Sequence, residues 1–175
     1  MANIALNKPS GGQLILSPED GTSTETVTIP SVGVGKVLQV VGMSTSTQAS
    51  TSSATWTDVP NFSLSITPTS ATSKILVLVD GQFGHNENTQ THSVRLLRDS
   101  NYIYGGSHGT KAGGGSGWTS SITIIGGITY LDSPATTSTV TYKLQYYTEQ
   151  TIMYFNKSQD GRGYASSITL VEVAA

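Results

Sequence analysis

Apolar and polar side chains alternate with a period of two along much of this chain. Val27-Thr28-Ile29, Phe62 to Ile66, Val140 to Tyr146 and Ile168 to Val173 each set apolar groups on one face and Ser, Thr or Lys on the other. That is the pattern of a strand with one side buried. Between these segments sit Pro18-Glu19-Asp20-Gly21, Asp99-Ser100-Asn101, Asp132-Ser133-Pro134 and Gln159-Asp160-Gly161, whose Asx, Pro and Gly residues reverse the chain. No segment shows a capped 3.6-residue period. About ten to twelve strands at this spacing predict an all-β protein, a β-sandwich of jelly-roll type.

The first 36 residues stand apart. They hold two short strand-like pieces, Gln13 to Ser17 and Thr26 to Ile29, and end in the Gly-spaced Ser31-Val32-Gly33-Val34-Gly35. Two short strands are marginal on their own. Residues 1–36 are therefore expected to form an arm or stalk used in assembly, with a simple hairpin of the main domain as the alternative. Residues 37–175 form the head. Leu14, Leu16, Val27 and Ile29 are the apolar groups the arm offers for attachment to a larger particle.

Composition narrows the function. Of 175 residues only 9 are Lys or Arg and 11 Asp or Glu, for a net charge of −2, and there is no Cys. Disulfide scaffolds and thiolate metal sites are excluded. The absence of any basic run removes the electrostatic footprint expected for nucleic acid or an anionic membrane. The longest apolar runs, Ile75 to Val79 and Val37 to Val41, are far shorter than the roughly 20 residues of a spanning helix, so no membrane insertion is expected. The start of the chain lacks the pattern of a secretion signal. Serine and threonine make up more than a quarter of the residues. Threonine fits the pleat while its hydroxyl keeps an outer face wet without like-charge repulsion. Long neutral strand edges invite pairing with another chain, and a closed homotrimer would bury them.

Candidate chemistry is sparse. The histidines are His85, His92 and His108. Adjacent strand ends could bring His85 and His92 together, but their spacing matches no ligand motif, so they read as exposed loop residues, with no metal or other cofactor. There is no Gly-x-Ser-x-Gly elbow, and Gly105 to Lys111 lacks the spacing of a phosphate-cradling loop. Glu87, Asp99, Asp132, Glu149 and Asp160 lie in or beside turn signals and read as turn formers or solubilising groups. No catalytic residue is expected and the chain does not read as an enzyme. Recognition has better support. Tyr102, Tyr104, His108 and Trp118 bracket a Gly/Ser loop, and aromatic faces beside hydroxyls suit a sugar or protein partner. The competing reading is that Tyr102, Tyr104 and Trp118 end strands and cover the core. Tyr142, Tyr146, Tyr147, Tyr154 and Phe155 read as core or subunit-interface aromatics.

An ordered set of segments resembles tail-fibre and minor structural proteins of tailed bacteriophages. It comprises Val37 to Val41, Trp56-Thr57-Asp58-Val59-Pro60, Leu64 to Val77, Arg95-Leu96-Leu97-Arg98, Tyr130 to Ser138, Thr141 to Gln145 and Ser167 to Val173. Gly12 to Leu16 with Thr26 to Pro30 is similar to the repeated shaft segments that precede such heads. The resemblance implies a jelly-roll head like those of tumour necrosis factor and complement C1q, assembled as a homotrimer on a virion. It implies other virion proteins, of tail or capsid, as partners and a host surface glycan or protein as a further contact. Its implied place is the virion surface, with assembly in the host bacterial cytoplasm. An arm of 36 residues reaches little more than about 100 Å when fully extended, which suits a subunit docked closely on its particle. Three readings remain: a tail-fibre-type subunit, a capsid-decorating protein that stabilises the capsid, and a polysaccharide-degrading enzyme.

Overall fold

The alternating segments become strands. A computed structural model of the chain describes residues 14–16, 25–27, 36–85, 92–105, 122–149, 151–157 and 161–175. Among these lie β1 (Leu14–Leu16), β2 (Glu25–Val27), β3 (Val37–Thr45), β4 (Ala49–Thr51), β5 (Thr57–Ile66) and β6 (Lys74–His85). They are followed by β7 (His92–Arg98), β8 (Asn101–Gly105), β9 (Ile122–Asp132), β10 (Val140–Thr148), β11 (Met153–Phe155) and β12 (Ser166–Val173). β1 and β2 pair antiparallel in a sheet of their own.

The head has two sheets. Strand β6 carries β12 along Lys74 to Asp80 and β9 along Ile75 to His85. With β3 outside β12, sheet I runs β3-β12-β6-β9, and the short β11 and β4 extend it beyond β12. Sheet II runs β5-β10-β7-β8. Taking the eight main strands in chain order, the sheets read first-eighth-third-sixth and second-seventh-fourth-fifth. That is the strand order of a jelly roll, in agreement with the fold read from the sequence.

Alternation aims one side chain in two at the interior. Ile75, Val77 and Val79 of β6 and Ile168 and Leu170 of β12 meet Phe62, Leu96, Tyr142, Leu144 and Tyr146 of sheet II, all buried. Phe155 packs edge-on against Phe62 and tilted against Phe83, with centroids 5.2 and 5.3 Å apart. Burying each such side chain contributes about 1.5–3 kcal/mol. The hydroxyl residues line outer faces and bond across strands: Ser65 Oγ to Thr141 Oγ1 at 2.8 Å and Thr67 Oγ1 to Thr139 Oγ1 at 2.7 Å.

Three polar groups break the simple pattern. Glu172 lies on the same face of β12 as Ile168 and Leu170 and is fully buried, so the expectation of a purely apolar inner face there is corrected. Its Oε1 accepts from the Thr69 backbone N–H and hydroxyl at 2.7 and 2.8 Å, and its Oε2 accepts from Gln39 Nε2 at 2.6 Å. One carboxylate thus ties the β5–β6 connection to β3 and β12. Burial works to raise its pKa, but the hydrogen bonds from Gln39 and Thr69, with the polar Ser73 hydroxyl nearby, outweigh that and hold it at about 2. Because the folded value lies below the ordinary 4.5, the stabilisation is fully present above about pH 4.5 and is lost as pH falls towards 2. With allowance for solvent screening it amounts to roughly 2 kcal/mol. Urea unfolding of Glu172→Gln from pH 7 to 2 is expected to show a deficit of that order at neutral pH that closes in acid. A constant deficit would assign the loss to packing instead.

Asp132 is the second. Read from the sequence as a turn former, it is buried, and its carboxylate accepts from Arg98 Nη1 at 2.9 and 2.7 Å and from the Tyr142 hydroxyl at 2.7 Å. It ends β9 of sheet I, whereas Arg98 and Tyr142 belong to sheet II, so the ion pair staples one sheet to the other. Burial, the hydrogen bond to Asp132 and its charge push the Tyr142 phenol well above its usual range.

Asn156 is the third, fully buried with φ at 53°, a conformation Asn tolerates better than most residues. Its Nδ2 donates to Thr45 O at 2.8 Å and Thr47 O at 3.2 Å, while its Oδ1 accepts from Ser166 Oγ at 2.6 Å. Its backbone N–H donates to Gln82 O. It therefore joins the segments around β3, β6 and β12.

Candidate functional site

The two outer faces of the sandwich differ in chemistry. On sheet I, the register sets Val40, Val171, Leu76 and Leu131 side by side across all four strands. Val40 is 57% exposed and Leu131 50%. Val37 and Leu78 extend this aliphatic stripe. On β6 it is bounded by exposed Lys74 at one end and Asp80 at the other.

Sheet II presents polar and aromatic groups instead. Its register aligns Asp58 of β5, Gln145 of β10 and Arg95 of β7 in one row that ends at Gly105 of β8. Arg95 donates from Nε and Nη2 to Gln145 Oε1 at 2.9 and 2.6 Å. Gln145 Nε2 donates to Asp58 Oδ1 at 2.6 Å, and Lys143 Nζ to Asp58 Oδ2 at 2.8 Å. The guanidinium carbon lies 4.3 Å from the centroid of the Trp56 ring and 5.8 Å from that of Tyr102, within the range of cation–π attraction. Trp56 packs in turn on Tyr147 at 5.5 Å. Burial works to raise the Asp58 pKa, but the hydrogen bonds from Lys143 and Gln145 and the nearby cations hold it below its ordinary value. Desolvation lowers that of Arg95, which remains a cation at any physiological pH.

Gly105 is required where the row ends. Its φ is +123°, and a Cβ there would approach Val94 O to 2.7 Å and Arg95 Cα to 2.8 Å. A larger residue would displace β8 from the strand that carries Arg95.

The residues selected from the sequence divide. Tyr102 stands 51% exposed on the outer face of sheet II. Tyr104 does not join it: a register shift between Leu96 and Leu97 turns it the other way, and it stacks on Tyr130 of β9 at 5.1 Å, closing the open side of the sandwich. His108 and Trp118 lie outside the described residues, as do Glu87, Asp160 and Ile29. Leu14, Leu16 and Val27 fall in β1 and β2, described by backbone alone.

The expectation of exposed loop histidines fails for two of the three. His85 ends β6 and His92 begins β7, both are buried, and their rings stack with centroids 4.3 Å apart and planes 19° from parallel. Stacking covers one face of each ring. Imidazole lone pairs lie in the ring plane, so stacked rings do not converge on an ion between them. Among the described residues no group of three His, Asp or Glu is placed to hold a metal.

Trp56, Arg95 and Gln145 were not picked out from the sequence as a site. Arg95 and Gln145 lie on β7 and β10 and Trp56 just before β5, and only the pairing register, which no local pattern encodes, puts them together.

No protein-family model matches the chain, and comparison with curated proteins also gave no match. Solved structures did. The VP2 subviral particle of infectious bursal disease virus aligns over 91% of this chain and 37% of its own, at 11% identity and a TM-score of 0.50. The shared feature is the jelly-roll sandwich. Structures of the Gt and Gx strains of the same virus align over 98% and 91% of this chain, with 11% and 12% identity and TM-scores of 0.42 and 0.39. The chain spans 47% and 42% of those two chains, so in each case it spans less than half of the structure it matches. At this identity the likeness concerns fold alone.

Proposed function

We propose that the chain is a non-enzymatic structural subunit of a virus surface, bound to the capsid as a decorating protein. The observation that carries this reading is the jelly-roll strand order, shared over 91% of the chain with a protein that forms a subviral particle. In this reading residues 1–36 are the attachment arm and residues 37–175 the displayed head. Copies of the chain, as a homotrimer, pack through the aliphatic stripe of sheet I. Sheet II then faces outward. A tail-fibre-type role is the second reading, favoured by the ordered resemblance of the segments from Val37 to Val173.

Copy number in purified particles separates the two. Hundreds of copies in icosahedral multiples are expected for a decorating protein, and tens would move the chain to the tail. Leu131→Lys, at an exposed position, is expected to shift the monomer's melting by no more than about 2 °C. It should cut incorporation about tenfold, because a buried unpaired charge is costly. Undiminished incorporation would remove the sheet I face from the assembly.

A further inference from the structure

The Arg95 cluster has the features of a binding site rather than of a simple cross-strand ladder. Gln145 Oε1 occupies only the Nε/Nη2 edge of the guanidinium. The other fork, formed by Nη1 and the second Nη2 proton, meets no hydrogen-bond acceptor among the described residues. Asp58, the carboxylate in this row, is ion-paired to Lys143 and bonded to Gln145, so among the described residues the charge of Arg95 has no direct counter-ion. Its plane is held by Trp56, and beside it the ring of Tyr102 is half exposed. A fixed cationic fork next to an open aromatic face matches a ligand with a carboxylate on a ring that has an apolar C–H side.

We propose that this patch binds an acidic saccharide, with the sugar carboxylate paired bidentately to the open edge of Arg95 and the ring face lying on Tyr102. The fork geometry suits a planar carboxylate, and the tyrosine supplies contact area at small entropic cost. Lys143, Asp58 and Gln145 act as positioning residues, because their chain of hydrogen bonds fixes the guanidinium before the ligand arrives. Pre-organisation of this kind lowers the cost of binding. The inference rests on the reading of sheet II as the outward face.

The test is titration of the full chain with a uronic-acid oligosaccharide, with its carboxyl-reduced neutral counterpart and with a sulfated neutral oligosaccharide. Binding is followed by calorimetry or by amide shifts in NMR spectra. Saturable binding of the uronate at about millimolar affinity or better is expected, at least about tenfold weaker for both other sugars. Arg95→Lys keeps the charge but loses the fork, and should weaken uronate binding about tenfold or more. Tyr102→Ala, at an exposed position that leaves Arg95 in place, should weaken it roughly threefold to tenfold. Melting curves confirm that both variants fold. Absence of saturable binding, equal binding of the reduced sugar, or an unchanged affinity in Arg95→Lys overturns the proposal. Equal binding of the sulfated sugar also overturns it, since the site would then read charge alone. Binding is measured on isolated protein and location by copy number in particles. A failed titration with normal incorporation therefore removes the saccharide site alone, and binding by a protein absent from particles removes the virion reading alone.

Discussion

Asp132→Ala is expected to destabilise the head by about 3 kcal/mol, a fall in melting temperature of roughly 6–12 °C for a chain of this size. The substitution leaves two partners behind. The Tyr142 hydroxyl, on a fully buried residue, loses its acceptor. The Arg98 guanidinium, whose side chain is 22% exposed, keeps some access to water, which places the cost at the lower end of the range for a broken buried pair. Asp132→Asn keeps the shape and one carbonyl acceptor and should lose less, about 2 kcal/mol. Tyr142→Phe leaves the ion pair whole and should cost only about 1 kcal/mol. Chemical denaturation of the three variants tests the order. If Tyr142→Phe cost as much as Asp132→Ala, the sheets would be joined by the phenol and not by the ion pair.

Asn156→Ala should cost about 3–4 kcal/mol through two separable causes. It removes the donor to the part-buried carbonyls of Thr45 and Thr47 and the acceptor of the buried Ser166 hydroxyl, at about 1 kcal/mol for each bond lost. It also forces a residue with a plain Cβ into φ near 53°, which costs about 1 kcal/mol. Asn156→Gly removes only the backbone strain, so it should recover about 1 kcal/mol and leave the rest of the deficit in place. If glycine restored full stability, the hydrogen bonds would contribute nothing and strain would be the whole effect.

The sequence was most informative where one side of a strand is apolar and the other wet. Phe62 to Ile66 and Val140 to Tyr146 could be placed from their period alone, since burial of one face is a local pattern. The turn at Asp99-Ser100 was legible for the same reason: Asp99 tolerates its φ of 55°, and its Oδ1 accepts from the Thr141 backbone N–H. Polar groups turned inward were not legible. Glu172 carries the letter of a surface residue, and it is hydrogen bonds from Gln39 and Thr69, distant in sequence, that offset the cost of its burial. Asp132 sits beside Ser133 and Pro134, so its turn chemistry masked its role between the sheets. His85 and His92 were placed at adjacent strand ends, but nothing local signals that their rings exclude water by stacking on each other. The candidate site was least legible of all. Of the residues proposed for contact, Tyr102 lies beside the Arg95 row and Tyr104 does not, because the bulge beside Leu97 separates their directions; His108 and Trp118 lie outside the described residues. Arg95 and Gln145 occupy ordinary outward positions whose meaning depends on register.

The position of β12 has a consequence for how the head forms. It is the last strand in chain order and yet lies between β3 and β6, pairing Val171 with Val40 on one side and with Leu76 on the other. On the ribosome, β3 and β6 are therefore made more than 80 residues before the strand that separates them, and sheet I stays open until residues 166–173 have emerged. Contacts of such long sequence separation make for slow folding. Until β12 is made, a nascent chain carries exposed edges and the aliphatic residues of an unfinished sheet. Completion of the sheet is a late event: a chain interrupted before Ser166 lacks Val171 and cannot form the continuous row from Val40 to Leu131.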